Sequence, residues 1–512
     1  MDLPLLIRAQ EGGEQFVLSL AAGNGQSMLP SSSLIPSRRP LPGEQYRFHL
    51  DMTQCIGCKC CVVACNEQNG NPAEIQWRRV GEIEGGTYPD TVRRYLSMGC
   101  NHCLEPTCMT GCPVNAYTKD PCTGIVLHSA ERCIGCQYCT WNCSYGVPQF
   151  NTERGVVGKC DMCHERLSDG REPACVAACP EEAIRIEIMN VAEWRQEYTE
   201  QANAPGLPNA DDSVSTTRIS MRRALPQDMD RVDTSRVEPQ LPHWTLIFMT
   251  VFTQMAVGAI AAMSGCQSIA GFTTARAPAA GVVLIALLAL GASTLHLGRP
   301  IYAFRALSMW RRSWLSREVL FFSLFAGAAI VYASLLWIGS KVSAGSGLAA
   351  AALGLIAIYA SARLYMVPAR PMWKSTHTLL EFYLSSAITG TLASSIFISA
   401  PQKTLTHVSG SAGIALGIQQ MMKFAWLLHS RPFELRASGA LLRFRFFPLF
   451  VTRLCTLGVI SFALLWFDRG LWLRMLCLAA VVGIELAGRY LFFVSVVPKN
   501  MAAPYLKEKR AA

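Results

Sequence analysis

Sixteen of the 21 cysteines in this 512-residue chain fall into four close groups between residues 55 and 179. The first and third groups share the spacing C-x2-C-x2-C-x3-C, the second widens one gap to x4, and the fourth widens it to x11. The groups are Cys55, Cys58, Cys61 and Cys65; Cys100, Cys103, Cys108 and Cys112; Cys133, Cys136, Cys139 and Cys143; and Cys160, Cys163, Cys175 and Cys179. Spacing this regular predicts a region organised by metal ligands or disulfide bonds.

The repeated spacing is that of the bacterial ferredoxin run, whose fourth cysteine ligates the neighbouring iron–sulfur cluster. Structural zinc instead prefers two C-x2-C hooks a dozen or more residues apart. Disulfides belong to oxidising compartments, and the N-terminal MDLPLLIRAQEGG lacks the basic and apolar segments of an export signal. We therefore predict iron–sulfur clusters over zinc or disulfides. The remaining cysteines are interpreted as packing thiols: Cys60, Cys122, Cys266, Cys455 and Cys477.

Composition indicates a chain of two parts. With 51% hydrophobic and 16% charged residues, it is too apolar for a soluble enzyme of this length. We predict an α+β dicluster-ferredoxin domain followed by an all-α polytopic membrane bundle of about eight transmembrane helices. The expected boundaries are an extended N-terminal segment at 1–44, a four-cluster domain at 45–190, a linker at 191–242, the membrane anchor at 243–498 and a basic C-terminal tail at 499–512.

Eight apolar segments are long enough to span a membrane. They are residues 244–264, 279–297, 318–338, 347–366, 379–399, 411–428, 447–466 and 471–494. Connections on the side of the cysteine region carry sixteen Lys and Arg residues, against four on the opposite side. By the positive-inside rule, this asymmetry places the cysteine domain and both termini in the cytoplasm of a bacterial inner-membrane protein.

Ionisable side chains in membrane segments are costly and often functional. The candidates, all expected near the boundary on the cysteine-domain side, are His296, Glu318, Arg363, Glu381, Glu485 and Arg489. An imidazole and a carboxyl group at this boundary are suited to exchanging protons with a quinol, so His296 and Glu318 are the preferred quinone-site residues. The structural alternative is that terminal charges extend to the interface and that Arg489 pairs with Glu485 one turn away.

Two further expectations concern the bundle. A b-type haem needs paired histidines deep within facing helices; the histidines here lie near predicted helix ends or in loops, so no haem is expected. Lys423 lies well inside the sixth segment and is predicted to be isolated, with no role beyond a polar contact.

The motifs CIGCKCCVVAC, CNHCLEPTCMTGCP, CIGCQYCTWNCSYGVPQFN and KCDMCHERLSDGREPACVAACP resemble, in order, those of the iron–sulfur subunit of dimethyl sulfoxide reductase-like molybdoenzymes. HLGRPIYAFRAL, RSWLSRE, RLYMVPARPMW and ELAGR resemble the anchor subunit of the same family. The chain therefore resembles a fusion of the two subunits, from about residue 45 to 495.

This resemblance implies an electron-transfer and anchor subunit for a separate molybdopterin catalytic subunit, exchanging electrons with quinone or menaquinone. Family quinol-site positions match His296 in HLGRP and Glu318 in SRE. The implied ligand sets of four [4Fe–4S] clusters are Cys55, Cys58, Cys61 and Cys179 (first set); Cys160, Cys163, Cys175 and Cys65 (second set); Cys100, Cys103, Cys108 and Cys143 (third set); and Cys133, Cys136, Cys139 and Cys112 (fourth set). The fourth set is expected nearest the membrane.

Two other functions stay open. Typical members of the family work outside the cytoplasm, whereas the loop charges here predict an inward-facing domain. The alternative is therefore the same role in reverse, in a cytoplasm-facing sulfite dehydrogenase-type complex that reduces quinone. A distant alternative is a redox-sensing or ion-translocating membrane protein, which calls for charges at mid-membrane depth in several helices. The expected partners are the catalytic subunit, membrane lipid and quinone, with no nucleic acid.

Overall fold

The computed structural model describes residues 6–11, 14–19, 34–201, 212–221, 230–231, 237–270, 276–398, 402–467 and 470–499. The predicted extended N-terminal segment is therefore described only in part. Most of the predicted basic tail at 499–512 lies outside the described residues.

The first half contains short strands joined by cysteine-bearing loops. The strands are β1 (Leu6–Glu11), β2 (Glu14–Ser19), β3 (Glu44–Asp51), β4 (Arg79–Gly85), β5 (Val92–Met98), β6 (Tyr117–Lys119), β7 (Val126–His128), β8 (Gln149–Asn151), β9 (Val156–Gly158), β10 (Ile184–Asn190), β11 (Arg218–Ser220) and β12 (Asp230–Arg231). They form small sheets of two or three strands, in the orders β1-β2, β10-β3-β11, β12-β4-β5, β6-β7 and β8-β9. The central strand of one sheet, β3, pairs antiparallel with β10 and parallel with β11.

The helices of this half are short. They are α1 (Cys60–Asn69), α2 (Thr107–Gly111), α3 (Tyr138–Asn142), α4 (His164–Ser168), α5 (Ala174–Ala177) and α6 (Val191–Gln201). The first and third cysteine motifs repeat one backbone conformation: Gly57 and Gly135 have φ of 74° and 70°, and Lys59 and Gln137 have φ of 62° and 58°. Glycine readily adopts positive φ. At Gly57 and Gly135 this conformation bends the backbone so that the cysteines of each loop face a common space. The internal repeat indicated by the cysteine spacing is thus visible in the backbone.

The interpretation of 191–242 as a linker is wrong for part of that segment. Residues 191–201 form α6, whose Trp194 and Tyr198 are buried. Residues 218–220 add β11 to the sheet of β3, and residues 230–231 pair with β4. The polar composition misled because the segment contributes a few apolar anchors and strand hydrogen bonds to the cysteine domain, rather than a core of its own.

The second half is a helical bundle. Its helices are α7 (Trp244–Ala270), α8 (Arg276–Thr294), α9 (Trp314–Ile338), α10 (Ser343–Tyr365), α11 (Thr376–Phe397), α12 (Gln402–His429), α13 (Phe433–Ala440), α14 (Phe447–Trp466) and α15 (Leu471–Val494), with a 3-10 helix at Pro300–Leu307 and a π-helix at Leu441–Arg445. In the described part of the sequence, six of these are long and apolar enough to cross a membrane: α7, α8, α9, α10, α14 and α15. The expectation of eight spans therefore stays a prediction for α11 and α12, which carry more polar residues.

Helix α11 occupies a central place, packing against α7, α10, α12 and α15. Its Gly390 lies against the backbone of Gly258 in α7, where an added Cβ would collide. Small residues of this kind let helix backbones approach closely in lipid. Buried apolar side chains from several helices, including Phe325, Tyr332 and Phe382, fill the space between them.

Candidate functional site

Two of the cysteine sets each surround a cavity. The first cavity is lined by Cys55, Cys58, Cys61 and Cys179, together with Gly57 and Ser97. The second is lined by Cys100, Cys103, Cys108 and Cys143, together with Lys159. In both cavities, three cysteines come from one motif and the fourth comes from another. The structure thus brings together the first and third sets, exchanged cysteines included.

The second and fourth sets are also brought together. Burial raises the pKa of the Cys65 thiol, and the nearby Cys160, Cys175 and Cys163 raise it further. In the fourth set, Cys136 and Cys139 both interact electrostatically with Cys112 and with Cys133.

The environment of these thiols fits iron–sulfur ligation. Backbone N–H groups donate to sulfur from Ala116 to Cys112 at 3.3 Å, from Met162 to Cys160 at 3.4 Å and from Ala183 to Cys179 at 3.3 Å. Hydrogen bonds to sulfur are one of the features that tune protein-bound clusters. Burial raises the pKa of most of the set cysteines, for example Cys100 and Cys175, so a bound metal would stabilise their thiolate forms. Among the described residues, no group of three or more His, Cys, Asp or Glu side chains has the arrangement of a single-ion site.

The five other cysteines do not behave alike. Cys477 is buried and Cys266 is partly buried, as expected of packing thiols. Cys60, Cys122 and Cys455 are exposed, so the packing interpretation is wrong for these three. Each was assigned by exclusion from the sets, and spacing carries no information on exposure.

The third cysteine motif rests directly on the loop that follows α8. Gly298 N donates to Gly135 O at 3.3 Å, and Arg299 N donates to Ile134 O at 3.1 Å. A Cβ at Gly135 would lie 2.8 Å from Gly298 Cα, and one at Gly298 would overlap the carbonyl of Gly155. Three glycines therefore let two backbones meet where no side chain fits. HLGRP, interpreted above as part of the anchor, serves structurally as the docking loop for the cysteine domain.

Side chains extend this contact. Cys133 and Cys139 belong to one buried cluster with Ala306, and Leu297 and Val319 pack against it. Arg299 Nη1 donates to Ala130 O at 2.9 Å. The fourth set is therefore the one in contact with the docking loop and with α9.

Glu318, one of the two preferred quinone-site residues, lies beside Tyr138 of the third motif. Tyr138 is buried and donates to Leu364 O at 2.9 Å. Burial raises the pKa of its phenol, and the neighbouring Glu318 carboxylate also raises it, whereas Arg363 lowers it. Glu318 is 3% exposed, and its Oε1 has no hydrogen-bond partner among the described residues. Glu318 and Arg363 thus both face Tyr138.

His296 lies in the docking loop, partly buried, with Nδ1 hydrogen-bonded to Ser293 O. Close to it is His243, whose pKa is lowered to about 4 by burial and, to a smaller degree, by Arg370 and His296. The His243 ring packs 5.2 Å from Trp141 of the third motif. No direct contact between His296 and Glu318 is observed among the described residues. Sequence reasoning missed His243, Tyr138 and Trp141; the signal available was their position inside or next to recognised motifs.

Other ionisable residues form a separate buried group. Lys423 Nζ lies 3.1 Å from Glu381 Oε2, and Arg453 Nη1 lies 3.7 Å from Glu381 Oε1. Arg453 Nη2 donates to Glu485 Oε1 at 3.3 Å. The prediction that Lys423 is isolated is therefore wrong. Arg453 was missed, although a charge within the predicted span 447–466 was signal enough.

Arg489 belongs to this group but does not make the ion pair that its spacing indicated. It donates to Gln254 Oε1 at 2.9 Å, and its guanidinium lies 4.0 Å from the Phe382 ring centroid. Glu485 accepts instead from Ser385, at 2.5 Å, and from Arg453. Partners from neighbouring helices replace the one-turn pair, which sequence spacing cannot foresee.

Comparison with known families decides the assignment. The description "DMSO reductase anchor subunit (DmsC)" matches residues 238–494, and "4Fe-4S dicluster domain" matches residues 91–189. This protein belongs to the DMSO reductase anchor subunit family. It combines a 4Fe-4S dicluster domain and an anchor domain of that family in one polypeptide, and its apolar helices indicate an integral membrane protein.

Relatives of the first half carry matching names. One polypeptide of the anaerobic dimethyl sulfoxide reductase of Haemophilus influenzae is 37% identical over 177 residues, covering 33% of this chain and 85% of that protein. Its counterpart of the same name in Escherichia coli K12 is 36% identical over 174 residues, covering 32% and 83%. A sulfite dehydrogenase polypeptide of Allochromatium vinosum is 36% identical over 160 residues, covering 27% and 67%. The match to the 4Fe-4S dicluster domain begins at residue 91, after the first cysteine motif. The assignment of that motif to a cluster therefore rests on its cysteine spacing and on the cavity that its cysteines line.

Proposed function

We propose that the chain passes electrons between the quinone pool and a molybdopterin catalytic subunit, as the electron-transfer and anchor subunit of a complex that carries electrons from quinol to an S-oxide or N-oxide. The observation that carries this proposal is the contact between the third cysteine motif and the docking loop. It puts the fourth set beside the helix end that bears Glu318. An electron leaving quinol there would enter the cysteine domain without crossing a solvent gap.

Four [4Fe–4S] clusters would be held by the four sets named above, and when bound they supply one-electron transfer. The cysteines hold them, the backbone N–H donors stabilise ligand sulfur, and the buried surroundings exclude water. The support for this assignment is that each set, including its exchanged cysteine, converges in space.

At the quinone end, Glu318 would accept a proton from quinol, because its Oε1 is buried and lacks a partner in the described part of the sequence. His296 uses Nδ1 on Ser293, so Nε2 is the nitrogen that would exchange a second proton. Arg363, which like Glu318 interacts electrostatically with Tyr138, would supply positive charge to the same group of side chains. Glu485 and Arg489, placed in the buried ion group, are weaker candidates for proton handling.

The test uses Glu318→Gln and His296→Ala in the membrane-bound protein, reduced anaerobically by a menaquinol analogue and followed by stopped-flow absorbance of the clusters. Loss of a positioned acid–base group should slow reduction by about 100-fold or more, with iron content unchanged. Glu131→Gln is the matched control, since that side chain is exposed at the same contact. Unchanged rates in both test variants, or slowing that tracks loss of folded protein, would remove Glu318 and His296 from the proposal.

The proposal also names a catalytic partner and a direction of electron flow. A molybdopterin-containing polypeptide should co-purify with this protein from its native membrane. The reverse direction, with sulfite-type oxidation feeding quinone, is favoured by the loop charges, sixteen against four, because they predict a cytoplasmic cysteine domain. The two directions of electron flow are distinguished by adding quinol or sulfite to the purified complex and recording which of them reduces the clusters.

Orientation is tested directly. With eight crossings and an inward-facing cysteine domain, Lys341 and Lys403 lie on the outer side, and both are exposed. An impermeant amine reagent applied to intact cells should label these two lysines and spare Lys374. The opposite labelling would place the cysteine domain outside and would exclude a cytoplasmic sulfite-oxidising complex.

A further inference from the structure

Two buried cations lie between the cysteine sets and face sulfur. Arg78, which is 2% exposed, donates from Nη1 to Ser97 Oγ at 3.2 Å. The same hydroxyl lies 3.3 Å from Cys61 Sγ, a member of the first set. Arg78 therefore reaches the first set through one bridging hydroxyl.

The other edge of Arg78 faces the second set. A Cβ at Gly99 would lie 3.4 Å from Arg78 Nη2 and 3.6 Å from Cys160 Sγ, so both atoms border the same small space. Arg78 Nε and Nη2 are buried and have no hydrogen-bond partner in the described ranges. The groups that interact with the guanidinium electrostatically are Cys175, Cys61, Cys160 and Cys65. At least one unpaired donor of this buried cation, Nη2, thus borders a space that cysteine sulfur also borders.

Lys159 occupies the next junction. It is 3% exposed, lines the cavity of the third set, and donates from Nζ to Cys160 O of the second set at 2.8 Å. A second bond runs from Nζ to Val126 O. It interacts electrostatically with Cys100 and Cys108 on one side and with Cys160 on the other. The order along the domain is therefore first set, Arg78, second set, Lys159, third set.

We propose that Arg78 and Lys159 set the reduction potentials of the neighbouring clusters. Each cation raises the potential of the two clusters that it separates. The cluster of the second set, which is flanked by both cations, is raised most. This inference rests on the proposed function, because it needs clusters in the four sets. Adding an electron makes a cluster more negative, and a fixed positive charge in a water-poor interior favours that change. Beside the fourth set, the buried neighbour of Cys139 is the neutral phenol of Tyr117.

The two cations would favour reduction of the clusters that they flank, because each is next to cysteines of two sets. The cluster of the fourth set, beside the membrane, would gain nothing from either cation.

The test is a redox titration of the purified full-length protein, monitored by electron paramagnetic resonance, for the unsubstituted protein, Arg78→Gln and Lys159→Gln. Glutamine keeps a hydrogen-bonding amide and removes the charge. At a fixed potential, the ratio of reduced to oxidised cluster should fall about tenfold, or about 59 mV for a one-electron couple. Arg78→Gln should move the first and second clusters, Lys159→Gln the second and third, and neither should move the fourth.

Controls separate charge from packing. Arg78→Lys and Lys159→Arg should restore the unsubstituted potentials, and Arg195→Gln, which removes an exposed cation paired with Glu105 in the same domain, should change none. Full iron content with unmoved potentials in both Gln variants would overturn this inference and leave the proposed function intact. An unsubstituted protein without clusters would overturn the proposed function itself. Should a Gln variant lose iron, Arg78→Met and Lys159→Met, which keep a long side chain and remove its charge, provide the same comparison, and unmoved potentials in these variants would overturn the inference.

Discussion

The two halves of the molecule surround their buried cations differently. In the cysteine domain, Arg78 and Lys159 face thiol groups. In the bundle, Lys423 and Arg453 face the carboxylates of Glu381 and Glu485. A carboxylate is supplied by the polypeptide and is present as soon as the helices pack, whereas the negative charge of a cluster arrives with the cofactor. The bundle can therefore complete its electrostatics alone, and the cysteine domain cannot.

The largest effect is expected from removing one cluster from the cysteine domain. Cys139→Ser should remove the fourth cluster, lower the iron content from about sixteen to about twelve atoms per polypeptide, and loosen the cysteine domain, because cluster binding and folding are coupled. The helices of the bundle should keep their protection, since they pack on one another. Hydrogen–deuterium exchange with iron analysis measures both.

The matched control for that substitution is Cys122→Ser, which removes an exposed cysteine outside the four sets. It should leave iron and exchange unchanged. Equal loss of protection in both halves of Cys139→Ser would mean that the bundle also depends on the clusters.

The next largest effect is expected from removing one buried carboxylate from the bundle. Glu381→Gln leaves Lys423 and Arg453 short of a buried partner, which should cost about 3–5 kcal/mol of stability, read as a lower unfolding temperature in detergent. The double variant Glu381→Gln/Lys423→Met should recover much of this loss, because the stranded charge is removed with its partner. No recovery would indicate that the network is not held by pairwise charge.

A third prediction concerns the junction of the two halves. Gly298→Ala puts a methyl group against the Gly155 carbonyl, so the docking loop must shift, at about 1–3 kcal/mol, and quinol-driven cluster reduction should slow. Gly291→Ala is the control, since that position has open space around it. Identical behaviour of the two variants would show that the halves are held elsewhere.

The smallest effect is expected at Glu187, a partly buried carboxylate of the cysteine domain that contacts basic side chains. Glu187 lies 2.6 Å from His49 Nδ1 and 2.8 Å from Arg47 Nη2. Burial alone would raise its pKa, but these partners lower it to about 2. A lowered pKa stabilises the fold above the ordinary value near 4.5 and loses that contribution as pH falls from there toward 2.

Since Glu187 is partly exposed, solvent screening reduces its contribution, and Glu187→Gln should cost only about 1 kcal/mol at pH 7. The cost should shrink as pH is lowered below 4.5, as measured by denaturant unfolding across pH. A cost that does not vary with pH would contradict the ionic explanation.

Sequence spacing could predict the cysteine sets because a cluster ligand motif is local: Cys55, Cys58 and Cys61 are fixed by their own loop. It could also mark Glu318 and His296, each within a recognisable motif. It could not predict that Arg453 from α14 meets Glu381 from α11, because such a pair depends on which helices become neighbours. Arg78 and Lys159 were overlooked for a related reason, since a basic residue in a polar-looking stretch is ordinarily expected at the surface.

The glycine contact at 135, 155 and 298 has a consequence for assembly. The dimethyl sulfoxide reductase relatives cover about a third of this polypeptide, so an iron–sulfur protein of that length would have to find its anchor by diffusion to the membrane. Here the two faces belong to one polypeptide, and a covalent connection raises the effective concentration of one face at the other. The contact then needs little affinity of its own and serves to fix register. Stoichiometry of the two faces is one to one at any expression level.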